Sequence, residues 1–193
     1  MIGKKESMLR KKMVVDEPLL DGSAIFLEGL SQKHICERYV QWLNDKEVCR
    51  ENRHGDVYNT LDMTKAYVEL VDRSDKVAAF AIIEKTKNRH IGNISVSDIS
   101  WKRNSGEIAI VIGDKRFWGR NIGTEAYKLV IEYAFNMLDL HRLYSGMTTS
   151  NIGMIKVSEK SGMACEGIFR DAFLKNGEYR DIVQYAIINP NHK

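Results

Sequence analysis

The chain has 193 residues, of which 44% are hydrophobic and 28% are charged, a composition that suits one soluble globular domain. No apolar run approaches the ~20 residues of a membrane span, and none near the N-terminus has the length of a secretory signal core. Three widely spaced cysteines (Cys36, Cys49 and Cys165) exclude a disulfide framework and a zinc pattern. We therefore expect a cytoplasmic protein with no metal and no membrane partner.

The net charge of +3 is concentrated at the N-terminus, where the first twelve residues hold five basic side chains and one acid. The remaining chain is close to neutral, which weighs against nucleic acid as a partner. A nucleic-acid-binding protein that uses the basic segment is the alternative. We expect residues 1–20 to form a flexible basic arm and residues 21–193 a single domain.

Hydrophobic periodicity predicts the elements of the first half of the chain. A strand at 24–30 is followed by a helix at 33–43, and a second helix begins at Thr60 or Asp62 and runs to about residue 73. Between these helices, residues 44–59 are polar and irregular, and a loop of this length is usually functional or disordered. Strands at 77–84 and 90–97 form a hairpin.

The second half begins with a strand at 107–112, a helix at 124–137 and a strand at 143–148. This order predicts a right-handed parallel crossover. A helix at 151–160 ends before Gly162, and strands at 168–175 and 179–188 flank Asn176-Gly177, which predicts a type I′ hairpin.

The loop at residues 113–123 predicts an anion site. It contains three glycines, together with Arg116 and Arg120, and it leads into a helix. The first-turn amides and the dipole of a helix attract negative charge, and glycine lets the backbone approach a phosphate closely. The loop lacks the Gly-Lys-Ser/Thr ending of a P-loop and the G-x-G-x-x-G of a dinucleotide fold.

Two blocks of sequence carry a family resemblance. The run from Arg116 to Gly123, RFWGRNIG, resembles the Q/R-x-x-G-x-G/A signature of the GCN5-related N-acetyltransferases. Asn121 stands where Gly or Ala is usual, and Asn tolerates left-handed backbone. Residues 151–167 are similar to a block of the subgroup that acetylates ribosomal-protein N-termini, polyamines and amino sugars, with Met163 in place of the usual Phe.

The resemblance spans roughly residues 24–188 and implies an α+β fold with three layers. It has a mixed, mostly antiparallel central sheet of about seven strands, a splayed parallel pair at the fourth and fifth strands, and about four helices. It also implies acetyl-coenzyme A as co-substrate. The residues expected to bind this coenzyme are Val111, Ile112, Arg116, Phe117, Trp118, Gly119, Arg120, Asn121, Ile122, Gly123, Thr124 and Asn151.

Acetyl transfer to an amine requires positioned reactants, a donor to the carbonyl oxygen, a base for the amine and an acid for the leaving thiolate. The resemblance implies Ser158 as the acid; a solvent-facing helix residue is the alternative. Glu107 is the candidate base, or it pairs with Lys102 or Arg103. Asn151 caps its helix, contacts the pantetheine arm, or does both.

In this family the segment between the first two helices, here about residues 42–59, forms the acceptor wall. The residues that we expect to contact the acceptor are Trp42, Arg50, Arg53 and His54. Because Arg binds phosphate well, we expect a small-molecule amine such as an amino-sugar nucleotide, attacked directly in a ternary complex. A protein N-terminus or a polyamine is the alternative, and a non-catalytic acyl-coenzyme A module is a remoter one. A monomer or a homodimer is expected.

Overall fold

The computed structural model of the chain describes residues 20–192, in which one mixed sheet has the strand order β1-β2-β3-β4-β5-β6-β8-β7. The strands are β1 (Leu20–Asp21), β2 (Ile25–Gly29), β3 (Ala78–Glu84), β4 (Arg89–Ser100), β5 (Ser105–Ile112), β6 (Arg142–Thr148), β7 (Ala164–Lys175) and β8 (Glu178–Ile188). The α-helices of the described residues are α1 (Glu37–Asn44), α2 (Leu61–Arg73), α3 (Ile122–Asn136) and α4 (Ile152–Lys160).

Neighbouring strands are antiparallel except for β5 and β6, which run parallel. Their pairing is short, because only residues 105–107 of β5 align with residues 142–144 of β6. Beyond that point β5 remains paired with β4 up to Ile112, and β6 remains paired with β8 up to Thr148. The predicted splayed pair is thus confirmed, and it leaves a slot between the two strands.

Helices cover both faces of the sheet. On one side, here called the α3 face, helices α3 and α4 pack on the larger core, which includes Tyr127, Val130 and Ile108. On the opposite side, here called the α1 face, helices α1 and α2 pack on β2 and β3 around a smaller core that includes Trp42 and Val68. The predicted α+β, three-layer fold is therefore confirmed.

The order of the predicted elements is also confirmed, with three corrections. The sheet has eight described strands rather than about seven, because Leu20, which we expected in the arm, pairs with Leu27 in β1. Residues 33–43 are not one helix, since a 3₁₀ turn (Gln32–His34) precedes α1, whose N-cap Cys36 has extended backbone. Strand β7 begins at Ala164 rather than at the predicted residue 168. The rest of the predicted arm, residues 1–19, lies outside the described residues.

The end of β5 contacts helix α1 through a glycine. The indole of Trp42 lies against the backbone of Gly113, and a β-carbon at Gly113 would overlap three atoms of the indole ring. Trp42 also packs edge-on against His90, with ring centroids 5.1 Å apart. This contact fixes α1 to the start of the loop that follows β5.

We expect Gly113→Ala to lower the free energy of unfolding by about 1–3 kcal/mol, because the added methyl overpacks the indole of Trp42. Denaturant unfolding measures this change. The double variant Trp42→Ala/Gly113→Ala removes the ring, so its loss should be smaller than the sum of the two single losses. Additive losses would show that the indole is not the obstacle.

Candidate active site

The loop after β5 is held to the end of the sheet by backbone groups. The amides of Gly113 and Asp114 both donate to the carbonyl of Ile91, each at 3.0 Å. The indole N–H of Trp118 donates to the carbonyl of Ile112 at 2.8 Å. Trp118 is thereby fixed beside the slot between β5 and β6, where its ring is partly exposed.

Two residues in the loop have left-handed backbone, Gly119 with φ +72° and Asn121 with φ +61°. Asn121 is the N-cap of α3, but its side chain makes no capping hydrogen bond. None of the backbone N–H groups of residues 119–124 donates to an acceptor in the described part of the chain. Unsatisfied amides and a helix N-terminus attract an anion, so this turn can hold a phosphate group.

The two arginines of the loop have different environments. Arg116 forms a bidentate ion pair with Asp114, at 2.8 Å from Nε to Oδ1 and 2.5 Å from Nη2 to Oδ2. This hydrogen bonding holds the pKa of the buried Asp114 carboxyl below its usual value. Arg120 makes no ion pair with a described residue, and its guanidinium lies 5.9 Å from the ring centre of Phe117. Of the two, Arg120 is the cation whose charge no described carboxylate neutralises.

The beginning of α3 also packs against helix α4. A β-carbon at Gly123 would lie 3.1 Å from Cγ2 of Val157, so this glycine permits the close approach of α3 and α4. Ile122 is buried in the larger core, and Thr124 is half-buried. Contacts of these three residues with a coenzyme stay predictions.

The edge of β5 that faces the slot is open from Ile108 to Ile112. Val111 and Ile112 are half-buried, and Ala109 is exposed. Because β6 does not pair with this stretch, one edge of the β5 backbone is available to an extended ligand. A coenzyme contact at Val111 and Ile112 fits this arrangement but stays a prediction.

Glu107 lies at the point where β5 and β6 part. It is aligned with Tyr144 of β6, and it is half-buried. Burial raises the pKa of the Glu107 carboxyl, the charge of Asp98 raises it further, and a hydrogen bond from the Gly146 amide opposes both. The expected alternative, an ion pair with Lys102 or Arg103, is absent from the described residues. A carboxylate with a raised pKa suits a general base.

Ser158 and Asn151 lie at opposite ends of helix α4. Ser158 is completely buried, with its hydroxyl 3.7 Å from Sδ of Met147, so the alternative of a solvent-facing residue was wrong. Its role as the acid stays a prediction and requires that its hydroxyl be released from Met147. Asn151 is the N-cap of α4, where its Oδ1 accepts from the Met154 amide at 3.2 Å.

The residues predicted to contact the acceptor do not converge. Trp42 is only 6% exposed and belongs to the core. Arg50 donates to Glu51 at 3.2 Å, Arg53 lies over Phe173 at 5.7 Å, and His54 is exposed in a short 3₁₀ turn. A role of the four in acceptor binding stays a prediction.

Glu51, which the sequence did not single out, joins the segment between α1 and α2 to the end of β6. Its carboxylate accepts from the hydroxyls of Thr148 at 2.6 Å and Ser150 at 3.1 Å, and it pairs with Arg180 at 3.4 Å. Burial by itself would raise the pKa of Glu51, but these partners outweigh it and hold the pKa below its usual value.

Other acids of this segment also form ion pairs. Asp45 and Glu47 each lie 2.9 Å from the ammonium of Lys115, which belongs to the loop after β5. Asp56 pairs with the buried Lys175 of β7. These ion pairs leave few carboxylates of the segment unpaired, and Lys115 joins the segment to the loop after β5.

Two further properties bear on the kind of site. Within residues 20–192, no three His, Cys, Asp or Glu side chains are grouped so that they could hold a metal ion. No helix in this part of the chain is long and apolar enough to cross a membrane.

Comparisons with known proteins agree with this geometry. The family model described as Acetyltransferase (GNAT) domain matches residues 25–164, so the chain belongs to the GNAT family of acetyltransferases. It is 35% identical over 143 residues to the probable N-acetyltransferase YjcK of Bacillus subtilis (strain 168), covering 72% of this chain and 78% of that protein.

Solved structures share the fold. The spermidine N-acetyltransferase from Vibrio cholerae, in complex with CoA and spermine, is similar with a TM-score of 0.78 and 19% identity, over 87% of this chain and 97% of that one. The ribosomal L7/L12 α-N-protein acetyltransferase RimL, in complex with coenzyme A, is similar with a TM-score of 0.78 and 17% identity, over 86% of this chain and 95% of that one.

We expect Gly119→Val to weaken acetyl-coenzyme A binding about tenfold or more, since a β-branched residue is strained at φ +72°. The fold should survive, because a β-carbon there meets no atom within 4 Å. Calorimetry measures the affinity. The control Asn121→Gly keeps the left-handed turn and should bind as the wild type does. Equal affinity of Gly119→Val and wild type would remove this turn from the site.

Proposed function

We propose that this chain transfers the acetyl group of acetyl-coenzyme A to a primary amine by direct attack in a ternary complex. One observation carries the proposal: a slot runs between β5 and β6 from the unsatisfied amides of residues 119–124 down to the carboxylate of Glu107. An anion-binding turn therefore follows the open end of β5, and a candidate base lies where β5 and β6 part.

Each part of the slot has a chemical role in this proposal. The turn binds the pyrophosphate of the coenzyme, which supplies an activated thioester. Backbone N–H groups near Val111 and Ile112 stabilise negative charge on the carbonyl oxygen. Glu107 accepts the proton of the amine, whose nitrogen attacks the carbonyl carbon. The C–S bond breaks, and the departing thiolate takes a proton, for which Ser158 is the candidate donor.

The acceptor in this proposal is a small amine that carries a phosphate group, such as an amino-sugar nucleotide. Its support is electrostatic: Asp45, Glu47, Glu51 and Asp56 of the wall are all engaged by cations of the protein. A polyamine would have to compete with Lys115, Arg180 and Lys175 for these carboxylates. Arg53 of the same segment is exposed and makes no ion pair with a described residue, so it would favour a ligand with negative charge.

Polyamines and protein N-termini form the second candidate class of acceptor. The observation that favours them is the similarity of the chain to spermidine and ribosomal-protein acetyltransferases, both among its sequence relatives and among solved structures. Because the solved structures are below 25% identical to the chain, their likeness concerns the fold alone.

The proposal is tested by measuring release of free coenzyme A thiol with amino-sugar nucleotides, spermidine and N-terminal peptides side by side. We expect turnover with the amino-sugar nucleotides at a kcat/KM at least about tenfold above that for spermidine. Turnover of peptides or spermidine alone would show that the acceptor belongs to the second class. Binding of acetyl-coenzyme A without turnover of any amine would contradict the enzymatic function.

Glu107→Gln should lower kcat about a hundredfold at pH values where the amine arrives protonated, with a smaller loss as the pH rises and free amine becomes abundant. The wild-type rate should itself fall in acid, as Glu107 becomes protonated through its raised pKa. A pH–rate profile of both proteins measures this difference.

The free energy of unfolding of Glu107→Gln shows whether the variant remains folded. Because burial raises the pKa of Glu107, its charged form is disfavoured in the folded protein, and the neutral amide should not lower the free energy of unfolding at pH 7. A pH–rate profile identical to that of the wild type would show that another group is the base.

A further inference from the structure

A cavity of about 600 Å³ opens on the sheet beside the point where β5 and β6 part. Its size falls within the ~300–1,000 Å³ range of ligand pockets. The residues that line it come from the start of β5, from β6 and from the β7–β8 hairpin: Arg103, Ser105, His141, Arg142, Tyr144, Glu166, Gly167, Phe169 and Gln184.

The cavity lies on the α1 face, the face toward which Glu107 points. Leu143 and Ile108 are buried in the larger core, so they point to the α3 face. Side chains alternate along a strand, which places Glu107 and Tyr144, as well as Ser105, on the α1 face. Because Tyr144 is aligned with Glu107 and also lines the cavity, the cavity begins where the proposed base lies.

The charges of the lining leave one arginine free. Arg142 holds the carboxylate of Glu166 with both nitrogens of its fork, with Nη1 at 2.6 Å from Oε1. Arg103 is exposed and makes no ion pair with a described residue. Glu166 is the one carboxylate of the lining, and Arg142 neutralises it. The cavity therefore has an excess of positive charge.

Tyr144 marks the boundary between an acidic and a basic part of this face. Burial raises the pKa of its hydroxyl most, and the charges of Glu107 and Asp98 raise it further, whereas Arg103 and Arg142 lower it. The acidic part suits the ammonium form of an arriving amine, and the basic part suits an anion.

We propose that the cavity binds an anionic group of the acceptor, a phosphate or a carboxylate, through Arg103, while the acceptor amine lies at Glu107. This inference rests on the proposed function and specifies the substrate class for it. Ser105 and Arg142 lie two residues along the strands from Glu107 and Tyr144, so the anion lies roughly 7 Å or more from the amine. The ring of Phe169, which is 56% exposed, adds an apolar surface to the lining of the cavity.

The test uses three amines with the same spacer: hexylamine, 6-aminohexanoate and 5-aminopentyl phosphate. We expect KM values about tenfold lower for whichever anionic amine matches the site than for hexylamine, as a charge-assisted hydrogen bond to Arg implies. The carboxylate and phosphate compounds distinguish the two sources of negative charge. Equal KM values for all three amines would overturn the proposal.

Arg103→Ala should raise the KM of the preferred anionic amine about tenfold and leave the KM of hexylamine and of acetyl-coenzyme A unchanged. The matched control is Lys102→Ala, which removes the same charge one residue away, outside the lining of the cavity. A KM for the anionic amine that rises equally in both variants would point to general electrostatics and contradict a site at Arg103.

A binding measurement distinguishes failure of the anion site from failure of the proposed enzymatic function. If no amine is acetylated, binding of uridine diphosphate is measured by calorimetry in wild type, Arg103→Ala and Lys102→Ala, with coenzyme A present to fill the loop after β5. Binding that is lost only in Arg103→Ala would support the anion site without the enzymatic function. Equal binding in all three proteins, or no binding, would overturn the site.

Discussion

The rest of the site depends on the separation of β5 from β6 after Glu107. Each strand keeps one hydrogen-bonded neighbour, β4 on one side and β8 on the other, so the sheet remains intact while its middle opens. Backbone groups at an open edge need partners, and an extended ligand can supply them. The parallel pairing that ends at Glu107 and Tyr144 also places the candidate base at the closed end of the slot.

Hydrogen bonds and ion pairs of charged side chains hold the elements around the slot together. Glu51 fixes the segment between α1 and α2 to the end of β6, and Lys115 fixes the same segment to the loop after β5. Both contacts join elements that are distant in the sequence. In a segment that looks mixed in charge along the sequence, most of the acids are therefore paired, whereas Arg53 makes no ion pair with a described residue.

Acid and base groups lie in different environments along the slot. Glu107 is partly desolvated and has a raised pKa, whereas Glu51 is held ionised by two hydroxyls and an arginine. The first suits exchange of a proton, and the second suits a fixed structural charge. Ser158, enclosed by the protein beside Met147, differs from both because no ligand reaches it without a local rearrangement.

The sequence by itself determined the order of the elements and the character of the loop after β5. Helix and strand periodicities are local, and so are the turn at Asn176-Gly177 and the left-handed Asn121, because each depends on the backbone preferences of a few adjacent residues. Only the tertiary structure decided that Trp42 is a core residue, that Ser158 is enclosed and that Glu51 binds Thr148, 97 residues away. These outcomes depend on which elements pack side by side, and a hydrogen bond between distant residues leaves no periodic pattern in the sequence.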